Sequence, residues 1–580
     1  MKRIVVLDKD KCKKGKGCNY ICISICPRNR AGEACIAKDE EGFPLIDEDL
    51  CIGCGLCRKC PYGALKVVNL PEKLEERPVH RFGKNGFCLF RLPIPVRGEI
   101  VGLLGQNAIG KSTTLKILSG EMSPNLGENA EKEQVLKYFG GSQLQDYFKH
   151  LFDGEIKTSL KPQQVDLLPK FAKGKVRQLL EKVNSKKLDD IAKRLQIEHI
   201  LDRDISQLSG GELQKVAVAA ALLKDADFVF LDEMTSFLDI SNRLSVAKFV
   251  REFGKTREII VVEHDLATLD YLADRIHIYY GEPGAYGIVS KPYTVRVGIN
   301  TFLEGYIRED NVRFREPIKF ETRAPEKQSW TPLTTFKRIK KSFEGFKLEV
   351  EDGEIYQGEV LGVFGSNALG KTTFAKILAG ELEPDEGTFD KVKVSYKPQY
   401  ITTDFEGTVL ELLSKETNPF STEFKTELSR PLQLEGLYEK QVKDLSGGEL
   451  QKVAAALCLA KKAPLYLLDE VSAYLDVESR IAVAKVIRKV VELRDASAMV
   501  IDHDLVFLDF VSDRAMVFEG ESGIYGRALS PMPLQKGFNQ FLKELGITFR
   551  TDLETKRPRA NKPGSQKDVE QKKQGIYYFI

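Results

Sequence analysis

Two octapeptides with the same spelling, LSGGELQK at 208–215 and again at 445–452, each follow a glycine-rich loop that closes on a lysine and a hydroxyl. One loop supplies Gly105, Asn107, Gly110, Lys111, Ser112 and Thr113, and the other Gly365, Asn367, Gly370, Lys371, Thr372 and Thr373. Glycines let the backbone turn tightly, so that amides at the start of a helix point at a bound anion. The lysine then reaches the β- and γ-phosphates of a triphosphate, and the Ser112 or Thr372 hydroxyl reaches Mg2+. Further on, the apolar runs FVFLDE and LYLLDE end in Asp232–Glu233 and Asp469–Glu470. The first carboxylate of each pair is placed to hold Mg2+ through water, the second to polarise an attacking water. Acidic residues also cap helices, a plainer role that fits TSFLD and SAYLD but not the coupling to a phosphate loop. His264 and His503 follow at matched offsets, 32 residues after Asp232 and 34 after Asp469. A single histidine is ordinarily structural; two in register point to the γ-phosphate and the adjacent glutamate.

Each loop lies between an apolar strand (EIVGLLG, EVLGVFG) and a helical run (STTLKILSG, TTFAKILAG). The octapeptide resembles the signature of ABC-class ATPases, whose signature acts on nucleotide held by the opposite half. That resemblance implies that Ser446 and Gly448 complete the site built on Lys111, and Ser209 and Gly211 the site built on Lys371. ATP then holds the halves together and hydrolysis releases them. Gln163 in KPQQ and Gln399 in KPQY match the Q-loops of the class, which sense Mg2+ and the γ-phosphate. Ala108 and Ala368 stand where the class usually carries glycine, and an alanine methyl there is expected to require a negative φ. Met234 and Val471 replace a common proline. Both sites are expected to be active, with room for unequal rates.

Of 11 cysteines, nine lie within residues 12–60. They form Cys12-x5-Cys18-x3-Cys22-x3-Cys26-Pro and Cys51-x2-Cys54-x2-Cys57-x2-Cys60-Pro. Two four-Cys groups ending Cys-Pro are the arrangement of a two-cluster bacterial-type ferredoxin. By that logic Cys51, Cys54, Cys57 and Cys26 hold one [4Fe–4S] cluster, and Cys12, Cys18, Cys22 and Cys60 the other. A zinc ribbon using Cys51, Cys54, Cys57 and Cys60, or a partly empty domain, stays open. The interval Arg58–Lys59 is one residue short of the ferredoxin spacing, which puts the ligation by Cys60 in question. Cys35 is left over and reads as a small buried apolar residue. Lys11, Lys13, Lys14, Lys16, Arg28 and Arg30 around the first group are either solvated loop charges or a contact for a phosphate-rich partner.

At 580 residues the chain has room for three or four domains. A net charge of +3 excludes a global polyanion-binding field. The longest apolar candidate, 216–232, is broken by Lys224, Asp225 and Asp227, and MKRIVVLDKDKC lacks a secretory core. The expectation is a cytoplasmic protein without a membrane partner. The two lysines Lys111 and Lys371 stand 260 residues apart but the signatures only 237, so the first half carries extra sequence. Its candidate is 134–152, two aromatic-rich helical stretches broken by Gly140–Gly141: a hairpin with its own small core, or a protrusion for a partner. The expected organisation is multidomain α/β: an α+β ferredoxin-like iron–sulfur domain over 1–75, then two P-loop ABC cassettes, head to tail, over 76–285 and 331–546. A packed connector covers 286–330, and 547–580 forms a strap and tail whose RPRANKPG cannot be regular helix.

This order of parts resembles the ABCE subfamily, the RNase L inhibitor or ribosome-recycling ATPases, across nearly the whole chain. NLPEKLEERPVHRF (69–82), GSQLQDYF (141–148), YLADRIHIYYGEPGAYG (271–287), NVRFRE (311–316) and DVEQKKQG (568–575) carry the resemblance. It implies a helix–loop–helix near 134–152, hinges near 286–316 and 547–562, and adenine stacking by Phe82 and Phe336, where tyrosine is usual. It implies that two ATP molecules close the cassettes and move the cysteine-rich head against a release factor of the termination or rescue type, so that ribosomal subunits separate. Hydrolysis then frees a monomeric protein from the small subunit and its rRNA; contacts with initiation factors are also implied.

Other soluble tandem-ABC translation factors would need a long charged helical arm between cassettes and no cysteine head. A DNA-repair ATPase would need long heptads between loop and signature. A membrane importer's ATPase subunit shows no dedicated coupling partner here. A ferredoxin-type electron carrier fused to an ATPase is the alternative of a different class; no flavin or nicotinamide fingerprint supports it.

Overall fold

The computed structural model describes residues 3–71, 74, 76–320, 331–399 and 405–579. The head is built from two antiparallel ribbons, Arg3–Leu7 with Leu65–Asn69 and Ile36–Lys38 with Pro44–Ile46. Short helices Ile21–Ile25 and Pro27–Arg30 and the 3-10 turn Leu56–Lys59 lie between them in sequence. Its core is small: Val5, Ile36, Ile46, Leu65 and Val67 pack with Cys22, Cys26, Cys35 and Cys57. Asn85 ties this head to the next domain, giving its amide oxygen to the Ile46 amide at 2.8 Å and its carbonyl to the Leu7 amide at 2.9 Å. The Glu48–Arg81 ion pair, 2.6 Å, spans the same junction.

Each cassette is a sheet whose central strands are parallel and buried. In the first, Ile100–Leu104 runs between Glu258–Val262 and Arg275–Glu282, with Phe228–Asp232 and Thr158–Lys161 beyond. In the second, Val360–Phe364 runs between Ser497–Ile501 and Arg514–Glu521, with Leu465–Asp469 and Val394–Lys397 beyond. Every residue of Ile100–Leu104 and Val360–Phe364 is buried, as parallel strands covered on both faces must be. Consequently both glycine loops and both Asp–Glu pairs emerge at the same, C-terminal, edge of their sheets, where open α/β folds bind ligands.

The helices Lys132–Tyr138 and Gln143–Phe152 do not close a core of their own. Phe139, Leu144, Tyr147 and Phe148 join Leu103, Leu118 and Phe230 in one apolar cluster of the first cassette. The first sheet also continues past residue 285: Tyr286–Val289 and Tyr293–Thr294 pair with Arg275–Glu282. Helix Val295–Glu304 then buries Val295, Ile299, Phe302 and Leu303. Part of the expected connector is thus cassette. The C-terminal stretch is likewise more regular than a strap: Phe549–Thr551, Pro558–Ala560 and Tyr578–Phe579 form a sheet beside helix Gln566–Gln574. It clasps the first cassette through Arg557 on Asp270, both fully buried, and through Asp552 on Arg296 at 2.9 Å. No helix among the described residues is long and apolar enough to cross a membrane.

Candidate active site

Both loops hand over to their helices at a glycine in the left-handed region, Gly110 at φ 101° and Gly370 at φ 92°. A Cβ on Gly110 would come within 3.0 Å of Phe87, so the position excludes a side chain twice over. Ala108 and Ala368 overturn the expectation of a negative φ: they sit at 56° and 57°. The cause is tertiary. The Ala108 carbonyl accepts from the Gly284 amide at 2.8 Å and the Ala368 carbonyl from the Gly523 amide at 3.0 Å, which holds each loop in a shape that costs an L-residue about 1–2 kcal/mol.

Lys111 donates to the carbonyls of Gly105 and Gln106 at 2.8 and 2.5 Å, and Lys371 to those of Gly365 and Ser366 at 2.8 and 2.6 Å. Burial lowers both ammonium groups, Lys371 to about 8. Thr372 Oγ1 donates to Asp469 Oδ2 at 2.6 Å. Burial pushes Asp469 up to about 6, aided by the neighbouring Glu470 charge. Thr113 and Thr373 follow, half-buried, in the first helical turn.

The glutamates are held from several sides. Gln163 Nε2 donates to Glu233 Oε1 at 2.6 Å, and His264 Nε2 lies 3.4 Å from the same oxygen. Gln399 and His503 stand at 2.7 and 3.3 Å from Glu470 Oε1. Burial works to raise these carboxyls, but the histidine contacts and the lysine charge outweigh it and hold both down at about 2. They are carboxylates at neutral pH and can polarise a water. Burial and the Lys111 charge lower His264, while the Glu233 carboxylate works against them.

Ser209 and Ser446 cap the signature helices Gly210–Leu223 and Gly447–Ala460, each accepting from the glutamate amide three residues on. Gly211 and Gly448 are pressed against backbone: added Cβ atoms would stand 3.1 Å from the Phe237 carbonyl and 2.9 Å from that of Tyr474. The halves meet reciprocally. Asp476 Oδ2 accepts from the Asn107 amide at 3.1 Å, and Asp239 Oδ2 from the Asn367 amide at 2.8 Å. Phe237 and Tyr474 meet edge to face at 5.5 Å. Ser209 and Gly211 border a cavity of about 470 Å³ together with Asn367 of the other cassette. A second cavity, about 230 Å³, brings Glu233 and His264 together with Glu470, His503 and Gln399. Arg243 and Arg480 each reach across, to the carbonyls of His503 and His264 at 3.4 Å. None of Phe237, Asp239, Arg243 or their counterparts Tyr474, Asp476 and Arg480 stood out as site residues by type, yet the repeated spacing in FLDISNR and YLDVESR was a signal.

One expected residue is misplaced. Phe336 is fully buried, packed on Phe374 at 5.2 Å within the second core, and cannot offer a face to a base. The counterpart of Phe82 is Phe343. Each is about half exposed and precedes the tight turn to the phenylalanine, Phe87 or Phe346, that touches the loop glycine.

In the head, Cys26, Cys51, Cys54 and Cys57 line one small enclosed cavity, a set of soft donors that fits an iron–sulfur cluster. Cys35 lines it too, buried in the head's apolar cluster as expected of a small apolar residue. Burial pushes Cys22 up to about 11, with the thiols of Cys60 and Cys18 adding to it. Cys12 borders a separate open depression with Lys13, Lys14, Lys16 and Tyr62. Among the described residues no three His, Cys, Asp or Glu converge on a single-ion position.

The family model for the ABC transporter ATPase matches residues 95–236 and 348–473. An uncharacterized ABC transporter ATP-binding protein of Methanocaldococcus jannaschii is 52% identical over all of this chain and 98% of its own length. The translation initiation factor RLI1 of Saccharomyces cerevisiae is 43% identical over 100% of this chain and 98% of its own. A solved structure described as a model of ribosome-bound archaeal Pelota and ABCE1 includes a chain 52% identical to this one, with a TM-score of 0.93 over 100% of this chain and 99% of that one.

Proposed function

Because this chain belongs to the ABCE family of tandem ABC ATPases, we propose that it is an ATP-driven recycling factor that splits ribosomes into subunits after termination, with further roles around initiation. The observation that carries this reading is the reciprocal pair of Asn–Asp bonds between cassettes, which makes each triphosphate site a shared one.

In the first site Lys111 and the loop amides bind the β- and γ-phosphates, and Ser446 and Gly448 close over them from the opposite half. In the second, Lys371 is closed over by Ser209 and Gly211. Ser112, Gln163 and Asp232, and likewise Thr372, Gln399 and Asp469, would hold Mg2+, which when bound neutralises phosphate charge. Glu233 and Glu470, kept ionised, polarise the attacking water, while His264 and His503 orient them and donate to the γ-phosphate. Phe82 and Phe343 offer ring faces to adenine. Cys26, Cys51, Cys54 and Cys57, and Cys12, Cys18, Cys22 and Cys60, would hold two [4Fe–4S] clusters, whose chemistry here is to cross-link the head rather than to carry electrons.

Closure of the cassettes carries the head, joined to the first cassette at Asn85 and Arg81, against a release factor of the termination or rescue type. Driving a 1:99 conformer ratio to 99:1 takes about 5.5 kcal/mol of differential binding, within reach of two interfacial triphosphates. The partners are the ribosome, through the small subunit and its rRNA, that release factor and initiation factors; the protein acts as a cytoplasmic monomer without membrane.

Subunit separation on sucrose gradients tests this, comparing wild type, Glu470→Gln and Cys54→Ser with ATP and a non-hydrolysable analogue. Cys54→Ser should abolish splitting while nucleotide binding survives; intact splitting by that variant would refute a working role for the head.

A further inference from the structure

Glu233 and Glu470 share an unusual backbone, both at φ 49°. A non-glycine residue stays in this region only where its surroundings over-determine it. On the amide side the two are alike: Glu233 donates to Val262 at 2.9 Å and Glu470 to Ile501 at 2.8 Å. On the carbonyl side they are not. The Glu233 carbonyl accepts from Lys161 Nζ at 3.1 Å and from Gln214 Nε2, and Lys161 also holds the Asp232 carbonyl at 2.7 Å. In the second cassette Lys397 bonds the carbonyls of Asp469 and Pro398, at 2.7 and 3.1 Å. Among the described residues no side chain donates to the Glu470 carbonyl, and Gln451 borders the central cavity instead.

Gln214 and Lys161 are both fully buried and lie on elements with another duty. Lys161 is two residues from Gln163, which holds the Glu233 carboxylate. Gln214 is five residues into the helix capped by Ser209, and Ser209 faces Asn367 in the opposite cassette. One rigid helix therefore touches the second site at its first turn and the glutamate of the first site on its second.

We propose that Gln214, with Lys161, is a positioning residue that ties Glu233 to the signature helix, so that engagement of nucleotide in the second site sets the aim of the glutamate in the first. Among the described residues the second cassette shows no reciprocal tie, so the coupling runs mainly one way. This rests on the assignment of Glu233 and Glu470 to two shared sites.

The test uses the full-length protein with one site silenced. In a Glu470→Gln chain, where the first site alone turns over, Gln214→Met keeps the volume but removes the donor. It should lower kcat roughly ten-fold, as misaimed catalytic groups do, with nucleotide affinity and melting temperature held. Lys161→Met should act in the same direction. The fall should be at least several-fold larger than that from Gln451→Met in a Glu233→Gln chain. Ser209→Ala should slow the first site in the presence of Gln214 and have little further effect on Gln214→Met, the non-additivity expected of two residues acting through one helix. Full kcat in the Gln214→Met chain, or equal losses from Gln214→Met and Gln451→Met, would overturn the tie alone. If Glu233→Gln added to Glu470→Gln left turnover intact, the assignment of the shared sites would fall with it.

Discussion

The head and the cassettes are stabilised by different physics. The cassettes bury unbroken runs such as Ile100–Leu104 and Val360–Phe364 on both faces of a sheet, and their side-chain cores would hold the fold without any ligand. Among the described residues the head's own apolar cluster has nine buried members, of which Cys22, Cys26, Cys35 and Cys57 are four. A domain this small cannot bury enough apolar surface to outweigh its chain entropy unless something cross-links it. The C-terminal clasp is a third case, joined to the first cassette by the buried Arg557–Asp270 pair and by further ion pairs such as Asp552–Arg296 and Lys562–Asp274. The head and the clasp add polar and sulfur contacts to the apolar ones they share with the cassettes, whereas each cassette interior is held by packing and the two cassettes meet through polar bonds.

The sharpest break of this contrast is Cys57→Ser. It should cost the head its folded state, seen as loss of protease resistance over residues 3–71, while the melting of the cassettes stays in place. Next in size, Arg557→Met removes the nearer of the two arginines on buried Asp270, leaving Arg559 at 3.5 Å, and should destabilise the clasp by about 3 kcal/mol, read from the denaturation midpoint. Replacing Arg557 and Asp270 together by apolar residues should recover most of that loss. Phe336→Ala should cost about 3–5 kcal/mol as a core truncation. Phe343→Ala should leave stability nearly unchanged and weaken nucleotide binding by about 1 kcal/mol, the worth of one aromatic face; the reverse pattern would restore Phe336 as the adenine residue. Smallest, Ala368→Gly should raise stability by about 0.5–1 kcal/mol, by relieving a methyl group held at positive φ.

Much of the site was legible because its parts are local. A loop that runs from strand to helix through Gly-Lys-Thr makes the same cradle wherever it occurs. Repetition of the whole series at matched spacing made chance coincidence untenable. What was not legible depends on neighbours distant in sequence. Phe336 and Phe343 lie on one strand, Pro332–Phe343, and only the packing of Phe374 decides which of them is covered. Cys35 carries no spacing signal, yet the pairing of Ile36–Lys38 with Pro44–Ile46 brings it to the cluster cavity. The end of the first cassette was set too early, because Tyr286–Val289 is a strand only by virtue of the partners it meets in the sheet.

From its sequence alone this chain was bound to carry two glycine loops closing on Gly-Lys-Ser or Gly-Lys-Thr, each followed by an apolar strand ending Asp–Glu, and a thiol-rich head, since short-range geometry and residue chemistry suffice for those. The tertiary structure alone decided that Asp239 and Asp476 cross to the opposite loops, that Ala108 and Ala368 take a left-handed turn, and that Lys161 and Gln214 hold the Glu233 carbonyl. Each of these turns on a hydrogen bond between segments far apart in the chain, and such a bond forms only once whole domains have been packed into register.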